Sequence, residues 1–182
     1  NSGQVCVAAS RLLVHESQRD TLMAALLQKV NGLRQGDPTN EENHLGSIAT
    51  PVHLNTIGNY VNRAESEGAS LVVGGEQNRE GELAAGNFYR PTIFDGVTPD
   101  MTIAREEVFG PVLSVMTFGD DEEAAQIAND CEFGLMASIW TGDGGSALRL
   151  ARRLQVGRVA INGGGYLRPG VPVFGYKLSG IG

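Results

Sequence analysis

The C-terminal part of the chain alternates short apolar runs with amphipathic segments, and this alternation constrains the fold more than any other feature. Apolar runs at 112–118, 135–141 and 158–162 have the length of buried strands, and segments 121–130 and 146–155 between them carry apolar residues at helical spacing. A strand–helix–strand–helix–strand order predicts a mostly parallel sheet with right-handed crossovers and helices on both faces. We therefore predict an α/β fold, a three-layer αβα sandwich.

Two further helices are predicted in the first seventy residues. Ser17, followed by Asp20 three positions later, resembles a capping box and predicts the start of the first helix, which Gly36 ends. Thr50 and Pro51 predict the start of the second, because threonine caps helices and proline suits the first helical position. The inward-facing apolar residues of this second helix are Leu54, Ile57, Val61 and Ala64.

Three strands are predicted in the same part of the chain, at 11–15, 70–73 and 89–94. The third contains Pro91, which has no backbone N–H to donate to a neighbouring strand. Proline within a strand is typical of the edge of a sheet. We therefore expect this strand near an edge.

Length and charge limit the classes of function. A chain of 182 residues is one domain by the usual length rule, and 41% hydrophobic with 19% charged residues is typical of a globular protein. The net charge of -7, without a cluster of Lys and Arg, argues against a nucleic-acid partner. No apolar stretch approaches the length of a membrane span. Two cysteines, Cys6 and Cys131, do not form a disulfide framework, which favours the reducing cytoplasm.

Cys6 is the candidate catalytic residue. It lies in the opening segment, residues 1–11, between two valines and close to a glycine. A thiolate is a strong nucleophile, and free cysteine is also a common residue of apolar cores. From its immediate neighbours alone, Cys6 is either a nucleophile or a core cysteine.

The opening segment resembles the nucleophile motif of the aldehyde dehydrogenase superfamily, N-x-G-Q-x-C-x-A-x-x-R. The matching residues are Asn1, Gly3, Gln4, Cys6, Ala8 and Arg11. Residues 106–113 resemble that family's E-E-x-F-G-P-V signature, and Asn162 and the ending at 175–182 also follow the family pattern. The resemblance covers essentially the whole chain and implies the family's nucleophile-bearing catalytic domain.

The resemblance implies a specific chemistry. In this family a thiolate, here Cys6, attacks an aldehyde carbonyl to give a thiohemiacetal, hydride passes to NAD or NADP, and water hydrolyses the resulting thioester. The Cys6 N–H would be one donor to the oxyanion. Glu107 would hold the nicotinamide ribose, since an ionised carboxylate can accept from both of its hydroxyls. Phe109 would pack near the nicotinamide ring.

The substrate pocket departs from the family. Val5 and Val7 flank the nucleophile and would line an apolar tunnel for a hydrophobic aldehyde. The family's P-F-G-G-Y-K is replaced by a sequence in which Val173 and Phe174 stand for the aromatic residue and the first glycine. Substrate preference is therefore not carried over from the family. His53 lies near the position where some relatives have a ribose-binding glutamine, and we interpret it as a surface histidine; no metal site is predicted.

The chain begins at Asn1, within a family motif, and we expect it to be a piece of a longer polypeptide. By the resemblance, the dinucleotide-binding domain, the glutamate base for deacylation, the amide that completes the oxyanion hole and the strand-exchange tail lie elsewhere. Most of the cofactor site would then be outside this chain, and we expect the fragment alone to be inactive. Its partner would be the rest of its own polypeptide. The parent protein would form a homodimer or homotetramer, as relatives do.

Other interpretations remain open. A non-catalytic domain could keep this fold for assembly, with Cys6 inert. An acylating variant could pass the acyl group to coenzyme A. A cysteine hydrolase ranks last, because it needs a histidine base oriented by Asn or Asp and none of the three histidines has that context.

Overall fold

The computed structural model describes residues 1–164 and 169–182, and the chain divides into two compact units, Asn1–Thr117 and Phe118–Gly182. The α-helices in the described residues are α1 (Arg19–Asn31), α2 (Pro51–Ser66), α3 (Thr102–Arg105), α4 (Asp121–Asn129) and α5 (Gly144–Ala151). The strands there are β1 (Arg11–His15), β2 (Ser70–Val73), β3 (Thr92–Asp95), β4 (Val112–Phe118), β5 (Phe133–Gly134), β6 (Met136–Ile139), β7 (Arg158–Ile161) and β8 (Tyr176–Lys177). Two short 3₁₀ helices cover Glu16–Gln18 and Gly81–Ala85.

The first unit is built on a four-stranded sheet with the order β1-β4-β3-β2. β3 is parallel to β4, with Thr92 opposite Val112, and antiparallel to β2. The prediction that the strand at 89–94, which contains Pro91, lies near an edge is wrong, because β3 begins at Thr92, has a neighbour on each side and has all four of its residues buried. The proline precedes the first residue of the strand, so its missing N–H removes no bond from the ladder.

Helix α1 covers part of this sheet through an apolar cluster. The cluster joins Met23 of α1 to Val14, Ile93 and Val115 of three strands, all of them buried. Complete burial of such side chains contributes about 1.5–3 kcal/mol each. The cluster therefore fixes α1 against the central strands.

The two long helices begin differently. The predicted capping box at Ser17 is wrong, because the Ser17 backbone N–H donates to His15 Nδ1 (3.2 Å) and α1 starts two residues later without a side-chain cap. A local side-chain bond of this kind competes with capping. The prediction for α2 is confirmed: Thr50 accepts from the His53 N–H (3.1 Å), Pro51 is the first helical residue, and the four predicted inward residues are buried.

The second unit contains two short sheets in its described residues. β6 and β7 pair in parallel, and β5 and β8 pair antiparallel. Asp120 accepts from the Glu123 N–H (2.9 Å) and caps α4, and Asp143 accepts from the Gly145 N–H (2.8 Å) and caps α5. Acceptor side chains at both N-termini explain why α4 begins at Asp121 and α5 at Gly144.

The predicted α/β class with a mostly parallel sheet is confirmed. Strands 112–118 and 158–161 and the helix from 121 agree with the alternation in the sequence, whereas α3 and the two-residue strands β5 and β8 were not predicted. The assignment of the chain to one domain stays a prediction, because compactness does not test whether the units fold together. Among the described residues, no helix combines the length and apolar character that a membrane crossing requires.

Candidate active site

Cys6 lies in a tight turn at the start of the first unit. The turn, which we call the cysteine turn (residues 5–8), is closed by the Ala8 N–H donating to the Val5 carbonyl (2.8 Å). The Cys6 side chain is exposed, whereas Val5 and Val7 beside it are half-buried. Within residues 1–164 and 169–182, the Cys6 N–H donates to no acceptor. In the part of the chain that the structure describes, Cys6 therefore combines an accessible sulfur with a backbone N–H that has no acceptor.

Two polar side chains anchor the residues before the cysteine turn. The Gln4 amide donates to the Ser47 carbonyl (3.2 Å) and accepts from the Ala49 N–H (2.9 Å). The Ser2 hydroxyl, which is buried, donates to the Gly46 carbonyl (2.7 Å). These bonds cross more than forty residues of sequence and satisfy backbone groups of segment 46–49, which explains physically why a glutamine stands at position 4.

The two family-like motifs meet at Gly3 and Gly110. A Cβ at Gly3, where φ is +73°, would lie 2.0 Å from the Gly110 oxygen and 3.0 Å from the Pro111 nitrogen. Only glycine allows the two backbones to approach so closely. Further along, the Ser114 N–H of β4 donates to the Ser10 carbonyl (2.9 Å). The opening segment is therefore packed directly against residues 106–113, a contact between motifs more than a hundred residues apart.

The adjacent carboxylates of Glu106 and Glu107 have different surroundings. The Tyr60 hydroxyl donates to Glu106 Oε2 (2.7 Å), and this bond raises the pKa of Tyr60. Glu107 is exposed, and none of the described residues pairs with its carboxylate. The backbone at Glu106 is extended. One carboxylate thus holds the segment to α2, and the other keeps its acceptor oxygens available.

Phe109 and His53 contact each other, and this pairing corrects the interpretation of His53 as a surface histidine. His53 is half-buried, its Nε2 lies 2.7 Å from the Phe109 carbonyl oxygen, and the two ring centroids are 6.2 Å apart in an edge arrangement. The Phe109 ring is 37% exposed. The signal in the sequence was helical spacing: His53, Ile57 and Tyr60 lie on one face of α2, and all three contact the segment 106–110.

Helix α2 also holds the helix that precedes this segment. Glu67, at the end of α2, accepts from the Thr102 N–H and from the Thr102 hydroxyl (2.7 Å each). Bonds from Thr102, and then from Arg63, lower the pKa of Glu67. A carboxylate from one helix therefore caps α3, which leads into Glu106.

The remaining predicted site residues belong to the second unit. Val173 and Phe174 are both exposed there, at 50% and 42%. The Asn162 amide makes a reciprocal pair of 2.9 Å bonds with the backbone of Thr141. Cys131 Sγ accepts from the Phe133 N–H (3.5 Å). Residues 165–168, which precede Val173 and Phe174 in the chain, lie outside the described residues.

Comparison with known proteins identifies the family. The aldehyde dehydrogenase family pattern matches residues 1–182. Acetaldehyde dehydrogenase 2 of Cupriavidus necator is 44% identical over 184 residues, covering 100% of this chain and 36% of that protein. The crystal structure of an NAD-dependent aldehyde dehydrogenase from Sinorhizobium meliloti matches with a TM-score of 0.95 and 45% identity, over 100% of this chain and 35% of that one.

A second solved structure has the same relation to the chain. Betaine aldehyde dehydrogenase from Staphylococcus aureus, in complex with NAD+, matches with a TM-score of 0.97 and 38% identity, over 99% of this chain and 36% of that one. The chain thus spans about a third of the length of the relatives that it matches. Because the family pattern covers every residue, the resemblance seen in the two motifs is confirmed. The chain belongs to the aldehyde dehydrogenase family.

Proposed function

We propose that the polypeptide containing this chain is an NAD(P)-dependent aldehyde dehydrogenase and that residues 1–182 are its catalytic domain. The observation that carries the proposal is the contact of Gly3 with Gly110, because it holds the exposed thiol of Cys6 on the same packed unit as Glu107 and Phe109. Oxidation of an aldehyde through a covalent intermediate requires a nucleophile and groups that bind the cofactor, all held in fixed positions. Cys6, the Glu107 carboxylate and the exposed Phe109 ring can supply these groups.

Cys6 is the nucleophile in this proposal. Its thiolate attacks the aldehyde carbon, and the carbonyl oxygen becomes the oxyanion of a thiohemiacetal. The Cys6 N–H, which has no acceptor among the described residues, can donate to that oxygen, and one such donor is worth about 2.7–4 kcal/mol of transition-state stabilisation. Val5 and Val7 supply an apolar lining for the carbon chain of the aldehyde. Loss of the C–H hydrogen as hydride from the thiohemiacetal oxyanion would give a thioester, and water would hydrolyse the thioester to the carboxylate and the free thiol.

The exposed groups on segment 106–110 fit a nicotinamide cofactor. The Glu107 carboxylate, which lacks a partner among the described residues, can accept from both vicinal hydroxyls of a ribose. Phe109 presents its exposed ring to limit the movement of a flat aromatic group. NAD or NADP, when bound, supplies the two-electron acceptor for the oxidation. The NAD named for the relatives from S. meliloti and S. aureus supports this assignment.

The rest of the machinery is assigned to the parts of the polypeptide beyond this chain. We place there most of the cofactor site and the base that activates water for deacylation, so the 182-residue chain alone should not turn over. The parent would be a cytoplasmic homodimer or homotetramer acting on a small-molecule aldehyde. Val173 and Phe174 would contribute to the substrate pocket, in which either Phe174 fills the space of the family's aromatic residue from a shifted backbone or the pocket has a different shape.

Selective labelling of the two cysteines tests the proposal. In the full-length polypeptide, iodoacetamide should modify Cys6 stoichiometrically and much faster than Cys131, because the Cys6 side chain is exposed and that of Cys131 is half-buried. Cys6→Ser should abolish NADH formation from NAD and an aldehyde, and Cys131→Ser, the matched control, should retain it. Equal labelling of both thiols, or NADH formation by Cys6→Ser, would contradict the role of Cys6. NADH formation by the isolated chain would contradict its predicted inactivity.

A further inference from the structure

The backbone of Phe109 has a conformation that is unfavourable for a residue with a large side chain. Its φ is 54°, in the left-handed region that a bulky side chain rarely adopts. A residue in this region keeps its conformation only when the surroundings hold it there. The position and direction of the exposed ring therefore depend on contacts made by the backbone of Phe109 and its neighbours.

Two residues of α2 make those contacts. A Cβ at Gly110 would lie 2.6 Å from Ile57 Cδ1, so the residue after Phe109 packs tightly on the helix. The Phe109 carbonyl lies 2.7 Å from His53 Nε2. Because a carbonyl can only accept, the imidazole must donate, which both the neutral ring protonated at Nε2 and the imidazolium can do. Ile57 excludes movement at Gly110, and His53 holds the peptide oxygen of Phe109.

His53 is itself fixed. Its backbone N–H donates to the Thr50 hydroxyl (3.1 Å) in the cap of α2, next to the rigid Pro51. Its ring also packs against the Phe109 ring in an edge arrangement, with centroids 6.2 Å apart. A donor on the first turn of a capped helix has little freedom, so it can define where the carbonyl that it binds must lie.

We propose that His53 is a positioning residue that sets the place of the Phe109 ring through the hydrogen bond to the Phe109 carbonyl. This inference rests on the proposed function, in which Phe109 packs beside the nicotinamide. Because Nε2 of His53 is engaged by the Phe109 oxygen, the effect of His53 on the cofactor passes through Phe109. As a consequence, the Phe109 ring is already held in position before any cofactor binds.

Hydrogen exchange of the full-length polypeptide without cofactor tests the bond directly. His53→Ala should exchange amides in the peptide covering 106–111 about twofold to tenfold faster than the wild type, as expected for loss of one hydrogen bond. His53→Gln, which keeps a donor without the ring, should remain close to the wild type. His53→Phe, which keeps a ring without the donor, should behave like His53→Ala.

The control for folding is Asn55→Ala, on an exposed position of the same helix. It should leave exchange of 106–111 unchanged. Unchanged exchange in His53→Ala would overturn the proposal. So would the reverse order of the other two variants, with His53→Phe protected and His53→Gln fast, because the ring contact rather than the hydrogen bond would then hold the segment.

NADH titration in a double-mutant cycle separates action through Phe109 from direct contact. His53→Ala should weaken NADH binding about twofold to tenfold in the wild-type background and leave it unchanged when Phe109→Ala is already present. If the double variant lost NADH affinity by the product of the two single losses, the proposal would be overturned, because His53 would then act independently of the Phe109 ring. If the wild type formed no NADH from any aldehyde, the proposed function would fail, and the exchange experiment would still decide the role of His53.

Discussion

The two units of the molecule differ in how completely each buries its own apolar residues. The first unit contains large side chains that are fully buried, among them Ile57, Val61, Phe94 and Val115. The second unit leaves several large apolar side chains largely exposed: Trp140 at 70%, Leu178 at 68% and Ile181 at 91%. A four-stranded sheet has interior strands, whereas both strands of a two-stranded sheet are edges.

This difference shows where the stability of the candidate site originates. The cysteine turn, the segment 106–110 and α2 all belong to the first unit, and the contacts among them are backed by its buried core. The second unit is smaller, and small units bury a smaller fraction of the surface that their unfolded chains expose. We therefore expect substitutions in the first unit to have the larger effects on stability, and the following predictions test that expectation.

Matched phenylalanine substitutions should show the largest difference. Phe94→Ala removes a ring from β3 that is 0% exposed and should lower the free energy of unfolding by about 3–5 kcal/mol. Phe133→Ala removes a ring that is 37% exposed in β5 and should cost about 1–2 kcal/mol, because only part of its apolar surface is buried. Urea denaturation measures both. Equal losses would show that the two units are equally well packed and would remove the basis of the comparison.

The glycine at the junction of the two motifs should be the next most sensitive position. Gly3→Ala places a methyl group 2.0 Å from the Gly110 oxygen at a positive φ and should cost about 3 kcal/mol or more, because neither backbone can yield cheaply. Gly58→Ala in α2, which meets no atom within 4 Å, should instead stabilise by about 0.5–1 kcal/mol. Both changes are measurable by thermal unfolding, and a neutral Gly3→Ala would contradict the close approach of the motifs.

Glu67 and Glu122 allow a smaller comparison between a carboxylate that caps a helix and one on the surface. Glu67→Gln weakens the two bonds from Thr102 and should cost about 1–2 kcal/mol. Glu122→Gln in the second unit removes a surface pair with Arg153 and should leave stability unchanged, because exposed ion pairs contribute little. Urea denaturation distinguishes them; a larger loss for Glu122→Gln would reverse the comparison.

The pH dependence of the stabilisation by Glu67 should be the smallest of these effects. The folded state lowers the pKa of Glu67 below its ordinary value of 4.5, so it binds this proton less tightly than the unfolded state. The stabilisation by Glu67 is therefore complete above pH 4.5 and is lost as the pH falls towards the lowered pKa. The stability difference between the wild type and Glu67→Gln should shrink from neutral pH to about pH 3. A difference that is constant with pH would exclude an ionised Glu67 as the cap.

Regular periodicity explains which parts of the fold could be predicted. The strand at 112–118 and the helix from 121 follow directly from apolar spacing, and α2 follows from Thr50 and Pro51. The start of α1 could not be predicted, because His15 and Ser17 form a local bond that competes with the expected cap. The pairing of β5 with β8 joins two-residue strands some forty residues apart, which leave no periodic signal.

The residues of the candidate site likewise divide into those that the sequence predicted and those that it did not. Cys6, Glu107 and Phe109 were found through motif resemblance, and their roles stay predictions until the thiol and the cofactor are tested. The contact of His53 with Phe109 was missed because its partner is a backbone carbonyl 56 residues away, and helical spacing alone does not show which segment packs on that face of α2. The difference between Glu106 and Glu107 likewise depends on tertiary packing, because packing brings the Tyr60 hydroxyl to Glu106 and not to Glu107.

The sequence by itself determined the order of most strands and helices, the α/β class and the two motifs, because apolar spacing and motif residues are local properties of the chain. Only the tertiary structure decided that Gly3 meets Gly110, that β3 is an interior strand and that His53 binds the Phe109 carbonyl. These contacts join residues distant in sequence, and their formation depends on how the sheet and α2 pack. No local pattern encodes that packing.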